Sequence, residues 1–185
     1  NDSAKIVLHT SGTTGKPLAI HKPLRCLDAE VSALEATFGD RLSGVAQGGV
    51  YATVPAYHIY GLLFRVLWPV AVGRPLGAGL ISYPEQLVSS ATDKPLSILV
   101  SSPAFLKRAR PVLDLDHLKA QQCLVFSSGG LLPPNIAASY NAELSQPIVE
   151  VYGSTETGGI GYRSVLDAAR PEPLTPLPGV TLSVD

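Results

Sequence analysis

Short apolar runs that open into small, polar segments recur along this chain. Ile6-Val7-Leu8 leads into Thr10–Pro17, Val50–Val54 into Pro55–His58, and Leu96–Val100 into Ser101-Ser102-Pro103. Cys123–Phe126 leads into Ser127–Gly130, and Pro147–Val151 into Tyr152–Gly159. Between the first two, Leu24, Leu27, Val31, Leu34 and Phe38 recur at spacings of three and four, one apolar helix face entered at Pro23 and closed near Gly39. Strand and helix in alternation predict an α/β layered fold, a largely parallel sheet flanked by helices. In such sheets ligands collect outside the carboxyl ends of the strands, which is where the Gly, Ser, Thr and His residues cluster.

The same reading predicts a strand over Pro75–Ile81, a short helix over Pro84–Ala91 and a helix over Ala104–Arg110 with Lys107, Arg108 and Arg110 as a solvated face. A further helix is predicted from Pro133-Pro134 to about Leu144. Ile59–Gly73 is the longest apolar stretch, but Gly61, Arg65 and Pro69 interrupt it. It is shorter than the roughly 20 residues that span a bilayer, so a buried helix is expected and no membrane span.

Charge narrows the partners. With 14 Lys and Arg against 15 Asp and Glu, no basic excess points to nucleic acid or an anionic surface. Cys26 and Cys123 lack metal-ligand spacing, and two isolated thiols fit a reducing, cytoplasmic compartment. The 185 residues contain no Met, and the chain is expected to begin mid-protein.

Chemistry concentrates first in Thr10-Ser11-Gly12-Thr13-Thr14-Gly15-Lys16-Pro17. Glycines admit close backbone approach, exposed N–H groups and hydroxyls supply neutral donors, and Lys16 supplies a mobile positive charge: these are the parts of a phosphate grip. A plain surface turn has the same composition. The stretch is not a Walker loop, because two residues separate Gly12 from Gly15 and Pro17 follows Lys16. The second concentration is Tyr152-Gly153-Ser154-Thr155-Glu156, where a single glutamate suffices for Mg²⁺, an ion that keeps waters and phosphate oxygens as its other ligands. Glu156 capping a helix that starts near Thr155 is the other reading of that stretch.

Thr10–Pro17 resembles the signature loop of the AMP-forming adenylating superfamily, which includes acyl-CoA synthetases, peptide-synthetase adenylation domains and luciferases. Leu18 stands where the family often has a second lysine. Tyr152-Gly153-Ser154-Thr155-Glu156 resembles that family's Tyr-Gly-x-Thr-Glu motif. Ser128-Gly129-Gly130-Leu131-Leu132-Pro133 resembles its adenine-pocket segment, and Pro55–Gly61 the segment bordering the carboxylate substrate. Thr175–Asp185 resembles its Pro-Gly-x turn and following strand.

The resemblance implies that residues 1–185 are part of an adenylation core, without the preceding region and the mobile C-terminal domain of family members, and inactive or nearly so alone. It implies ATP and Mg²⁺ as cofactors, a carboxylic acid as substrate, and coenzyme A or a carrier-protein thiol as acceptor. Thr10, Ser11, Gly12, Thr13, Thr14, Gly15 and Lys16 fall to the nucleotide phosphates, with Gly129, Gly130, Tyr152, Gly153, Ser154 and Thr155 completing the nucleotide site. Lys16, Thr155 and Glu156 are the implied catalytic groups, Glu156 holding the metal, and Tyr57, His58 and Gly61 border the acid. The rival readings are a non-catalytic nucleotide-binding scaffold, a phosphotransfer enzyme lacking its Walker lysine, and a serine hydrolase lacking a Gly-x-Ser-x-Gly elbow.

Overall fold

A computed structural model describes residues 4–10, 18–42, 48–87, 95–164 and 172–183. Its centre is a six-stranded sheet in the order β3 (Gly49–Ala52), β4 (Leu96–Ser101), β5 (Leu124–Ser127), β6 (Val149–Ser154), β7 (Gly158–Ser164) and β8 (Thr175–Pro176). The first four strands run parallel, and β7 and β8 are antiparallel additions.

The parallel strands are predominantly apolar because both faces of the sheet are covered, with Ser97, Ser101, Ser127 and Glu150 as buried polar residues among them. Val50, Ile98, Val100, Leu124, Phe126 and Val149 point to one side, where α1 (Leu24–Phe38) packs. The helical segment that follows β3 shares that side; it comprises α2 (Ile59–Gly61), a π-helical stretch (Leu62–Leu67) and α3 (Trp68–Ala71). Phe126 lies edge-on to Phe38, Phe64 and Trp68 at centroid distances of 5.0, 5.0 and 5.9 Å. Leu99 and Val125 point to the other side, toward α4 (Pro103–Ala109), α5 (Leu115–Ala120) and α6 (Pro134–Asn141). Residues 59–71 are therefore helical, with Leu63, Phe64 and Trp68 buried and Val70 exposed, and the preceding 15-residue α1 buries Leu27, Leu34 and Phe38 of the predicted face while Leu24 is exposed.

Several expectations are corrected. β1 (Lys5–Thr10) is not part of the parallel sheet: it pairs antiparallel with β2 (Leu18–Pro23) in a separate hairpin, with Thr10 opposite Leu18. Pro75–Ile81 is no strand. It follows the edge of β3 through Val50 N–H to the Pro75 carbonyl, Gly77 N–H to the Val50 carbonyl and one isolated bridge at Leu76. Pro75 has no N–H to offer a ladder. The predicted 84–91 helix is helical over 84–87, its remainder lying outside the described residues.

In the Ser101-Ser102-Pro103 segment the Ser102 hydroxyl accepts from Phe105 N–H and caps α4. Arg110 is half-buried rather than part of a free solvated face: it donates to the hydroxyl and carbonyl of Ser139, pairs with Glu143 and lies over the Tyr140 ring, clamping α4 to α6. Pro178-Gly179 does form a turn, but residues 180–183 do not continue as a strand.

Candidate nucleotide site at the carboxyl ends of the strands

The parallel strands end side by side, and the segments that leave them are tied to one another. Ser128 donates its hydroxyl to the Val151 carbonyl at 2.8 Å, and Leu132 N–H donates to Glu150 Oε1 at 2.6 Å. Both ends of the Ser128–Leu132 segment are thereby fixed to β6. Gly129 and Gly130 arch between these anchors and, with Leu131, Tyr152, Gly153 and Arg163, line a cavity of about 520 Å³. Residues that are far apart in sequence, Gly129-Gly130 and Tyr152-Gly153, are brought together here. Tyr152 leaves 57% of its surface exposed, so its ring is available as a flat apolar wall.

Beyond Tyr152 the chain forms a hairpin. Residues 155–157 turn from β6 into β7, which removes the alternative of a helix capped by Glu156. The turn is closed by its own hydroxyls: Ser154 Oγ accepts from Thr157 N–H at 3.1 Å, and Thr157 Oγ1 accepts from Ser154 N–H at 3.2 Å. Glu156 projects into solvent at its tip. Its own backbone N–H, then the Ser154 hydroxyl and the charge of Lys22, hold its carboxyl below the ordinary carboxylate range. It opens onto a second cavity, of about 380 Å³, shared with Lys22, Glu30, Phe64, Thr157 and Gly159.

Among the described residues no cluster of three or more His, Cys, Asp or Glu gathers as a metal centre. One exposed, ionised carboxylate does fit Mg²⁺, which takes few protein ligands and keeps water and phosphate oxygens. Thr10 ends β1, half-buried and opposite Leu18. Ser11, Gly12, Thr13, Thr14, Gly15 and Lys16 lie outside the described residues.

The third predicted cluster divides. Tyr57 and His58 are exposed and in tilted contact with each other, ring centroids 4.6 Å apart and planes at 54°. Gly61 is buried, and a Cβ there would collide with the Pro55 carbonyl, so backbone packing by itself requires a glycine. The residue of this segment that faces the motif is Tyr60, not named among the sequence candidates. It lines a small space of about 40 Å³ with Phe64, Ser128, Gly153, Ser154 and Gly158. Its hydroxyl is buried without a well-aligned hydrogen-bond partner. Burial raises its pKa above the ordinary tyrosine range, weakly opposed by the Ser101 backbone. Glu150 also escaped the sequence reading, although a charge inside the otherwise apolar Pro147–Val151 run was a visible signal. Arg163, which pairs with it, carried none.

A mostly parallel sheet with a glycine arch and a Tyr-Gly hairpin meeting at its carboxyl edge defines a nucleotide-binding class of α/β protein. The chain belongs to the family described as AMP-binding enzyme, whose sequence pattern matches residues 1–184. It is 30% identical over 190 residues to a 4-coumarate–CoA ligase of Rhodobacter capsulatus, covering 100% of this chain and 45% of that protein. A 4-chlorobenzoate–CoA ligase of an Arthrobacter species is 26% identical over 153 residues, 82% of this chain and 29% of the relative. Among solved structures, a malonyl-CoA ligase in a product complex with methylmalonyl-CoA and AMP superposes with a TM-score of 0.75 at 26% identity, covering 97% of this chain and 39% of that one. ATP-bound MatB from Rhodopseudomonas palustris shares the fold, with a TM-score of 0.76 at 20% identity over 94% of this chain and 34% of that one. The chain thus spans less than half the length of these relatives.

Proposed function

We propose that residues 1–185 form part of the adenylation core of an AMP-forming acid–thiol ligase. The intact protein joins a carboxylic acid to ATP as an acyl-adenylate, with release of pyrophosphate, and then passes the acyl group to coenzyme A. The observation that carries this reading is the meeting of Gly129-Gly130 with Tyr152-Gly153 in one cavity, with Thr155 and Glu156 on the turn immediately beyond. Coenzyme A is preferred to a carrier-protein thiol because the relatives bear the names of CoA ligases.

In the first half-reaction a carboxylate oxygen attacks the α-phosphorus of ATP while the bond to the β-phosphate oxygen breaks, and the electron pair leaves with pyrophosphate. An anion must approach a polyanion, so the barrier is chiefly electrostatic and positional. The Tyr152 ring and the Gly129-Gly130 backbone hold the base between them, and the Thr155 hydroxyl donates toward the α-phosphate. Ser11, Gly12, Thr13, Thr14, Gly15 and Lys16, continuous with Thr10, direct backbone N–H groups, hydroxyls and a positive charge to the β- and γ-phosphates. Glu156 would hold Mg²⁺, whose contribution is charge neutralisation at the phosphates. Tyr57, His58 and Gly61 belong to the segment that borders the acid, and Tyr60 brings its buried hydroxyl to the same wall. In the second half-reaction the thiol sulfur attacks the acyl carbon and AMP departs.

Cytoplasmic location is part of the same reading. Cys26 and Cys123 are both free thiols, and no helix among the described residues is long and apolar enough to cross a membrane. The deciding experiment is carboxylate-dependent exchange of labelled pyrophosphate into ATP, run with a panel of acids on this chain and on the intact protein that contains it. Exchange by the intact protein, lost in Glu156→Ala and Thr14→Val, is the expected outcome. Binding of ATP without exchange for any acid would replace the ligase reading with the scaffold one.

A further inference from the structure

The carboxylate of Glu30 on α1 joins two distant parts of the chain. Its Oε1 accepts from Lys22 Nζ at 3.1 Å, and its Oε2 accepts from the backbone N–H of Gly159 at 3.0 Å. Lys22 lies in β2, the strand that leaves the 11–17 segment, whereas Gly159 is the second residue of β7, just past the Thr155–Glu156–Thr157 turn. The pair is sheltered, with the two side chains 7% and 17% exposed.

The hairpin sits directly on this carboxylate. Gly158 has φ +79°, and a Cβ there would collide with the Glu30 carboxylate, so glycine is required both by conformation and by contact. The turn above is a closed unit, since Thr157 Oγ1 also donates to the Gly158 carbonyl at 3.0 Å. A shift at Gly158 and Gly159 is therefore transmitted to Thr155 and Glu156 rather than absorbed between them. Lys22 has a second relationship as well: it lines the cavity onto which Glu156 opens. One ammonium thus shares a cavity with two carboxylates and is hydrogen-bonded to one of them.

We propose that Glu30 is a positioning residue that seats the Thr155–Glu156 turn on α1 and, by engaging Lys22, keeps that ammonium off Glu156. The inference rests on the assignment of Thr155 and Glu156 to the nucleotide site. Without the Glu30 charge, Lys22 is left sheltered and uncompensated, and Glu156 is the carboxylate in the same cavity that its flexible stem serves. Glu156 then spends its charge on Lys22 and no longer on a magnesium–nucleotide complex.

The test uses the intact protein with Glu30→Gln, Glu30→Ala and the double variant Lys22→Met/Glu30→Gln. Glu30→Gln keeps an oxygen acceptor for Gly159 N–H and removes the charge. Its pyrophosphate-exchange kcat should fall about tenfold with the KM for the acid unchanged, and adding Lys22→Met should restore most of that loss, a coupling that a merely structural role does not produce. Wild-type kcat in Glu30→Gln, or no rescue in the double variant, overturns the Lys22 half of the proposal. The seating half is read without activity, by amide hydrogen exchange. In Glu30→Ala the Gly159 amide should exchange about tenfold faster or more, while the Leu99 and Val125 amides at the centre of the sheet stay as they were. Unchanged Gly159 exchange overturns the seating. Should the wild-type protein show no pyrophosphate exchange with any acid, the ligase reading fails, and the Gly159 amide still decides whether Glu30 holds the turn.

Discussion

Glu150 and Arg163 face each other across the β6–β7 pair, direct partners in the strand register, with Arg163 Nε donating to Glu150 Oε2 at 2.8 Å. Both side chains are largely buried, and Glu150 uses its other oxygen for Leu132 N–H. One carboxylate thus holds the strand that carries Tyr152, the strand that returns from the turn, and the far end of the glycine arch. Glu150→Ala leaves a buried guanidinium and a buried amide unpaired, and should cost about 3 kcal/mol of unfolding free energy. Urea denaturation of the intact protein measures it. Glu150→Gln, which keeps an acceptor for Leu132, should lose clearly less.

Gly61 is expected to behave as a packing residue even if it also borders a substrate. Gly61→Ala drives a methyl group into the Pro55 carbonyl and displaces the start of the helical segment, at about 1–3 kcal/mol, a fall of several degrees in Tm by calorimetry. Tyr57→Ala, at an exposed side chain, should leave Tm within about a degree.

The carboxyl of Glu156 is held below its unfolded value, so its contribution to the turn is complete above the unfolded pKa, near 4.3, and is lost as pH falls through the lower folded value. A carbon-detected NMR titration of the side chain should place its midpoint below that of an unstructured glutamate. Ser154→Ala removes one of the two leading hydrogen bonds and should move the midpoint upward; an unmoved midpoint would show that the backbone N–H acts alone.

The two thiols should differ in reactivity. Burial pushes the Cys123 thiol up to about 12, opposed weakly by a hydrogen bond to the Leu99 backbone, so almost none of it is thiolate at neutral pH. Cys26 is only half-buried, on the wall of the 380 Å³ cavity. A chromogenic disulfide reagent should titrate one thiol in the native protein and both after denaturation.

Much of this architecture is written in local pattern. The apolar runs 98–100 in β4 and 124–126 in β5 announce strands buried on both faces, and the three-and-four spacing from Leu24 to Phe38 announces α1, because the pattern that marks a buried strand or helix face spans only a few residues. The candidate nucleotide site was legible for the same reason: Gly129-Gly130 lies just past the end of β5 and Tyr152-Gly153 in the last residues of β6, and parallel strands end together.

What no local window contains is the identity of the partner an element finds elsewhere in the chain. Ile6-Val7-Leu8 looks like any other strand of the sheet, yet it pairs with Leu18–Pro23 and stays outside it. Of the three candidates in Pro55–Gly61, packing turns Tyr57 and His58 to solvent and buries Gly61, and it places the unconsidered Tyr60 against the motif. Glu30, from the sequence one more charge on a helix, acquires its place only when α1 meets Gly159, since hydrogen bonds between distant segments leave no period in the chain that forms them. Composition and periodicity by themselves determined the layers and the edge at which the motifs gather. Tertiary contact alone decided which side chains meet there, because the pairing of Glu30 with Gly159 and of Glu150 with Arg163 depends on how whole elements pack.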